Sequence, residues 1–149
     1  MKKQLAGFTL METLVALVIV VGFVFLPTLA LQRWQKNLEF EMFLARLERR
    51  ILTTQQYAIT HGKRTSINYG GSYTPKVIYS SLKYDETATN ELLVIPQSII
   101  VVEFTPIYFI SGSGNNGNLV SIYISSTELK RKVKYQFQMG SGRFVREEE

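Results

Sequence analysis

Between Phe8 and Leu31 the chain is almost wholly apolar, and one acid, Glu12, interrupts the run near its start. As a helix this stretch would measure roughly 36 Å at about 1.5 Å per residue, enough to cross a membrane. From Gln32 to about Thr60 the pattern becomes amphipathic. Phe40, Phe43, Leu44, Leu47, Ile51 and Ala58 recur at three- and four-residue spacing and so share one helix face. Glu39, Glu41, Glu48, Arg46, Arg49 and Arg50 mostly fill the other faces and read as a solvated surface. Pro27 predicts a kink or local loosening in the apolar half. His61-Gly62-Lys63-Arg64 ends the helix, with a glycine near its C-cap and cations near its negative pole.

From Thr65 the hydrophobic period changes to two. The predicted strands are Thr65–Tyr69, Lys76–Leu82, Glu91–Ile95, Ile99–Phe104, Leu119–Ser125, Lys132–Gln138 and a short Arg143–Arg146. Turn signals separate them at Gly70-Gly71, Asp85–Asn90, Pro96-Gln97, Gly112–Asn118 and Gly140-Ser141-Gly142. Val120, Ile122 and Ile124 alternate with Ser121, Tyr123 and Ser125; Val133, Tyr135, Phe137 and Met139 alternate with Lys132, Lys134, Gln136 and Gln138. The predicted class is α+β: one long N-terminal helix, half transmembrane and half amphipathic, packed on an antiparallel β-sheet head. The expected divisions are a leader over 1–7, an apolar helix over 8–31, an amphipathic helix over 32–62 and a β-rich head over 63–149.

Composition narrows the chemistry. The 149 residues contain no cysteine and one histidine, His61, so a cysteine-based metal or redox site is excluded and no metal or cofactor is expected. The formal net charge is +5, and loss of Lys2 and Lys3 with residues 1–7 leaves +3, too mild to imply nucleic-acid binding by itself. The Gly112–Asn118 stretch lacks a Gly-Lys-Ser/Thr ending and a following helix, which excludes a P-loop and leaves a flexible hairpin loop, adaptable enough for a subunit contact. No Ser/His/Asp set or pair of acids beside a cleft signature supports catalysis. Asp85-Glu86 and the acidic tail Glu147-Glu148-Glu149 read as solvated charge, and the chain is read as not an enzyme.

Lys2 and Lys3 precede the apolar run and should hold the leader on the cytoplasmic side, with the head outside. A secretory signal peptide or a simple signal anchor would share these features. A signal peptide, however, places its small-residue cleavage site after the apolar region, whereas here the small residue, Gly7, lies before it. Glu12 is also costly in an apolar span, by roughly 2.5–3.5 kcal/mol on insertion scales, and asks for a cationic partner.

Lys-Lys-x-x-x-Gly7-Phe8-Thr9-Leu10-x-Glu12 resembles the prepilin signal of type IV pilins and pseudopilins. The resemblance covers about a dozen residues and the apolar run, and implies a pilin-like fold. It implies cleavage between Gly7 and Phe8 by a prepilin peptidase and methylation of the new Phe8 amine. Glu12 then occupies the position of the family's assembly acid. In a filament core, that carboxylate and the Phe8 ammonium of a neighbouring subunit would each be costly alone and offset each other when paired, so Glu12 can set subunit register.

Two stretches of the head extend the resemblance. Phe104-x-x-x-x-Phe109-x-x-Gly112 followed by Leu119–Ile124, and Val133-x-Tyr135-x-Phe137-x-x-Gly140-x-Gly142-Arg143-x-Val145, are similar to the second half of H-type minor pseudopilins. Length, absence of cysteine and the Tyr-x-Phe-x-x-Gly-x-Gly ending look most like the D-type pseudopilin of Gram-positive competence systems. Pro27 departs from the pattern, lying two residues before the helix proline of many major pilins. The resemblance implies a minor subunit that initiates or caps a competence pseudopilus taking up external DNA, anchored in the cell membrane before joining a surface filament. The implied partners are prepilin peptidase, other major and minor pilins, the membrane, and indirectly an assembly ATPase and platform protein, with DNA met through the filament. A type II secretion pseudopilus moving exoproteins is the alternative task. A head that itself binds DNA is a further alternative, for which Lys63-Arg64, Lys76, Lys83, Lys130-Arg131-Lys132, Lys134, Arg143, Arg146 and eight tyrosines supply the side-chain types.

Overall fold

A computed structural model describes residues 9–72, 75–82, 92–117 and 119–148. The predicted Asp85–Asn90 turn, Lys83, Asn118 and Glu149 lie outside the described residues. Helix α1 (Leu10–Thr60) is followed by β1 (Thr65–Gly70), β2 (Val77–Leu82), β3 (Leu92–Val94), β4 (Ile99–Phe104), β5 (Ile107–Phe109), β6 (Ser121–Ser126), β7 (Lys132–Phe137) and β8 (Phe144–Glu148). This is an α+β architecture, with a long helix followed by antiparallel sheets and consistent with a pilin-like fold. The chain divides into two compact units, Met1–Asn37 and Leu38–Glu149, and α1 contributes to both.

The first unit is helical from Leu10 onward, and α1 runs uninterrupted through position 27. The loosening expected at Pro27 therefore does not end the helix. Just beyond it, the Thr28 hydroxyl donates to the Phe25 carbonyl at 2.6 Å.

In the second unit the period of α1 decides what is buried. Phe40, Phe43, Leu44, Leu47, Ile51 and Ala58 are all buried, as their spacing predicts. Full burial stabilises each large apolar side chain by roughly 1.5–3 kcal/mol. Thr54 falls on the same stripe and is buried too. Its hydroxyl meets the Arg50 carbonyl and the Ser80 hydroxyl, each at 2.8 Å, so burial leaves no unmet polar group.

The strands form two antiparallel sheets, ordered β3-β2-β1-β5 and β4-β6-β7-β8. The chain leaves the first sheet after β3, enters the second as β4, returns as β5 and leaves again as β6. Pro96 and Pro106 mark the first two crossings, where a residue without an N–H cannot continue a ladder. The second sheet buries Ile122 and Ile124 from β6 and Val133, Tyr135 and Phe137 from β7, in the predicted alternation.

Three local expectations change. β5 was not predicted; it is three residues long, and pairs Thr65 with Phe109 and Ile67 with Ile107. Met139 lies past the end of β7 and is 64% exposed, because the chain is already turning toward Gly140, whose φ is +76°. β8 extends to Glu148 and pairs it with Val133, so Glu147 and Glu148 belong to an edge strand and not to a frayed tail, although both side chains stay exposed.

Candidate functional site

The first turn of α1 holds the one sequence-predicted site residue that can be placed. Thr9 caps it: its carbonyl accepts from the Glu12 and Thr13 N–H groups at 3.1 and 3.2 Å, and its hydroxyl accepts from the Glu12 N–H at 3.3 Å. Thr9-x-x-Glu12 is thus one half of a capping box, with Glu12 at the third helical position. The carboxylate also sits at the positive end of the helix dipole, where an anion is favoured. Glu12 therefore has a local role besides any cationic partner, and the Thr-x-x-Glu spacing was the signal for it. Lys2, Lys3, Gly7 and Phe8 lie outside the described residues.

Beyond that turn the helix offers apolar surface. Leu14, Leu17, Val18, Ile19, Val20 and Val21 are each more than half exposed. The helix is long and apolar enough to cross a membrane, and its most apolar window has no buried residue. The same α1 that buries a full stripe after Leu38 buries none of these residues before it.

A second polar constellation lies where α1 meets the second sheet. Glu41 accepts from Arg131 at 2.7 Å and from Arg146 at 3.0 Å, and both arginines also hold Glu148. Glu48 accepts from the Tyr135 hydroxyl at 2.8 Å and lies 3.6 Å from Arg146. Glu39 accepts from Ser98 at 2.7 Å. Glu41 and Glu48 are therefore partly buried against the head, correcting the expectation of a solvated surface for these two, while Glu39, Arg46 and Arg49 are exposed as expected. Partial desolvation pushes the Glu41 carboxyl up, but hydrogen bonds from Arg131 and Arg146 together outweigh it and hold it below the ordinary carboxylate range. Hydrogen bonds from Arg131 and then Arg146 hold Glu148 low as well. Burial, then the bond to Glu48, raises the Tyr135 phenol well above its ordinary value and keeps it neutral.

This constellation bears on the cations offered for DNA. Arg131 and Arg146 are engaged by carboxylates, and Lys134 lies 3.7 Å from Glu147. Lys132 and Lys134 stand over the Tyr123 ring at 5.0 and 5.9 Å. Arg64 stands over Tyr108 at 5.1 Å beside a surface cavity of about 390 Å³ that Ser111 and Asn116 also line.

The glycine-rich loop is tied down along the part described. Gly112 N–H donates to the Ala58 carbonyl at 2.9 Å, Gln55 Nε2 donates to the Gly114 carbonyl at 3.0 Å, and Gly140 N–H donates to the Asn116 carbonyl at 3.2 Å. The expected flexible hairpin is instead a bracket across the C-terminal end of α1. His61 stacks on Tyr57, with ring centroids 3.9 Å apart. Among the described residues no group of three or more His, Cys, Asp or Glu side chains could hold a metal ion.

No protein-family model, no curated protein and no solved structure matches this chain.

Proposed function

We propose that this chain is a minor pseudopilin, a structural subunit that helps initiate or cap a type IV-like competence pseudopilus used to take up external DNA. One observation carries the reading: a single helix begins with a capped carboxylate, Glu12, exposes large apolar side chains from Leu10 to Phe25, and buries a full stripe in its own head only after Leu38. A subunit that waits in a membrane and then moves into a filament core needs such a division, because its first half must exchange lipid for neighbouring helices without unfolding the head. The preceding Lys2, Lys3, Gly7 and Phe8 supply the matching leader and cleavage site.

In this reading prepilin peptidase cuts between Gly7 and Phe8 on the cytoplasmic face, and the Phe8 amine is methylated. The Glu12 carboxylate then pairs with the amine of an adjacent subunit as an ATPase-driven platform draws the helix from the membrane. The test is mass spectrometry of the protein from its native membrane, with and without the peptidase. A mature chain starting at methylated Phe8 is expected; an intact Met1 start, or cleavage after Leu31, overturns the reading. Deletion of the chain separates the two tasks, since loss of DNA uptake marks a competence pseudopilus and loss of exoprotein release marks a secretion one. Direct DNA binding by the head draws its best support from Arg64 over Tyr108, since carboxylates engage Arg131 and Arg146.

A further inference from the structure

The first sheet has a face that the core does not use. Thr65, Ile67, Ile78 and Ile107 are buried, so the residues that alternate with them point the other way. On that outward face Ser66 lies across from Ser81 on one side and from Tyr108 on the other, and Asn68 lies across from Tyr79. Tyr79 and Tyr108 therefore stand on the two strands flanking β1, two residues apart in register. Strand spacing and rise put their Cα atoms roughly 12 Å apart. The small side chains of Ser66 and Ser81 form a low floor between them. Asn68 Nδ2 donates to the Ser66 hydroxyl at 3.0 Å, which fixes the amide and leaves its carbonyl oxygen as an acceptor. Leu92, across from Tyr79 and exposed, extends the surface with apolar area.

The charges point to the kind of ligand. β1, β2, β3 and β5 contain no charged residue, whereas β7 and β8 of the second sheet carry Lys132, Lys134, Arg146, Glu147 and Glu148. One cation stands at the rim of the neutral face. The Arg64 guanidinium lies 5.1 Å from the Tyr108 ring centroid and is exposed. Among the described residues no carboxylate pairs with it. Stacking on the ring fixes its plane and leaves the N–H edge free, the arrangement that grips a carboxylate through two parallel bonds. It is also the one charged residue among those described that line the cavity of about 390 Å³ beside it. A sugar fits such a surface, since its C–H faces pack on aromatic rings and its hydroxyls exchange hydrogen bonds with Asn, Ser and Tyr. A nucleic acid brings a charge with every phosphate and draws its affinity from several cations, which this face does not supply.

We propose that the outward face of the first sheet, with Arg64 at its rim, binds an oligosaccharide that carries a carboxylate. Sugar rings lie against Tyr79 and over the Ser66 and Ser81 floor, where the Asn68 amide meets their hydroxyls, and the carboxylate pairs with Arg64. Tyr79 supplies contact to any sugar, while Arg64 selects the charged one. The site lies wholly within the second unit and stands independently of cleavage at Gly7.

The test uses the full chain in zwitterionic lipid nanodiscs, with empty discs as the blank. The probes are a fluorescently labelled tetrasaccharide of alternating N-acetylglucosamine and N-acetylmuramic acid, which has a carboxylate on every second sugar, and the same tetrasaccharide with its carboxylates converted to methylamides. Fluorescence anisotropy should show the charged glycan binding at least about tenfold more tightly than the amidated one. Arg64→Gln, an exposed substitution, should bring the two to equal affinity. Tyr79→Ala should weaken both at least about fivefold and keep their order. Circular dichroism checks the fold of each variant, and the Arg64→Gln comparison decides even where Tyr79→Ala does not fold. No binding of the charged glycan, equal binding of both glycans by the parent, or a preference that survives Arg64→Gln overturns the proposal. So does tighter binding of a short labelled oligothymidylate than of the charged glycan, which would give the face to nucleic acid.

Discussion

Arg146, three residues from the C-terminus, places its guanidinium 3.0 Å from Glu41, which lies 105 positions earlier on the opposite side of the chain's topology. With Arg131 and Glu148 it joins the head-side part of α1 to the last two strands of the second sheet. Glu41 and Glu148 both have folded-state pKa values below their ordinary ones. A depressed carboxylate contributes stability above its unfolded pKa and loses it as pH falls through the folded pKa. Head stability should therefore hold from neutral pH down to about pH 5, then fall as the solution is acidified toward pH 3. Glu41→Gln should lower stability at pH 7 by about 1 kcal/mol, modest because the group is partly exposed, and should flatten the acid limb. Thermal melts of the full chain in detergent at stepped pH check both; an unchanged acid limb in the variant would remove Glu41 from the account.

Gly142 and Gly112 share a left-handed backbone, with φ of +64° and +76°, yet differ in what surrounds them. A Cβ on Gly142 would lie 2.4 Å from both the Gly114 carbonyl oxygen and Gln55 Nε2, while one on Gly112 meets nothing within 4 Å. Gly112→Ala should cost about 1 kcal/mol from backbone strain alone. Gly142→Ala should cost at least about 2 kcal/mol, because it also breaks the bracket that Gln55 makes across the glycine loop. Urea unfolding midpoints of the two variants give the ranking, and equal midpoints would mean that the bracket adds nothing.

The legible part of this fold is local in sequence. Phe40 through Ala58 repeat at helical spacing and are buried; Ile122, Ile124, Val133, Tyr135 and Phe137 alternate and are buried. Those patterns lie within one element and need no partner to be read. The division into two sheets is not local: β4 pairs with β6 and β5 with β1, and the prolines at 96 and 106 mark the crossings without naming the destinations. β5 is too short to show a period, with only Ile107 and Phe109 to alternate. Glu41 and Glu48 look like ordinary surface acids because their partners lie about a hundred residues away. At the candidate site the apolar run and Glu12 are plain in the sequence, whereas the cap that Thr9 provides depends on where the helix starts.

Leu17 and Leu47 test the division of labour along α1 with one kind of substitution. Leu47 is fully buried and Leu17 is 63% exposed. Leu47→Ala should destabilise the head by about 3 kcal/mol through lost burial and a residual cavity. Leu17→Ala should leave head stability within about 0.5 kcal/mol of the parent. Amide hydrogen exchange of β6 and β7, in the full chain in detergent, reads the head directly. Faster exchange in the Leu17 variant would show that the apolar half supports the head and would undercut its proposed freedom to change surroundings.

Glu12 has two candidate roles that one pair of substitutions separates. A capping box accepts glutamine as well as glutamate at the third position, so Glu12→Gln keeps the local geometry and removes only the charge. Glu12→Ala removes both, and should loosen the first turn by about 1 kcal/mol on the scale of other lost caps. If the carboxylate pairs with a neighbour's amine in an apolar core, both variants should be processed at Gly7 but enter filaments about tenfold less often or worse, because each leaves that amine unpaired. If the acid only caps its own helix, Glu12→Gln should assemble as the parent does while Glu12→Ala falls behind. Counting processed and filament-incorporated chains for the three proteins decides between these outcomes. Full assembly of Glu12→Gln would end the register role, leaving the exposed apolar surface of α1 to account for association.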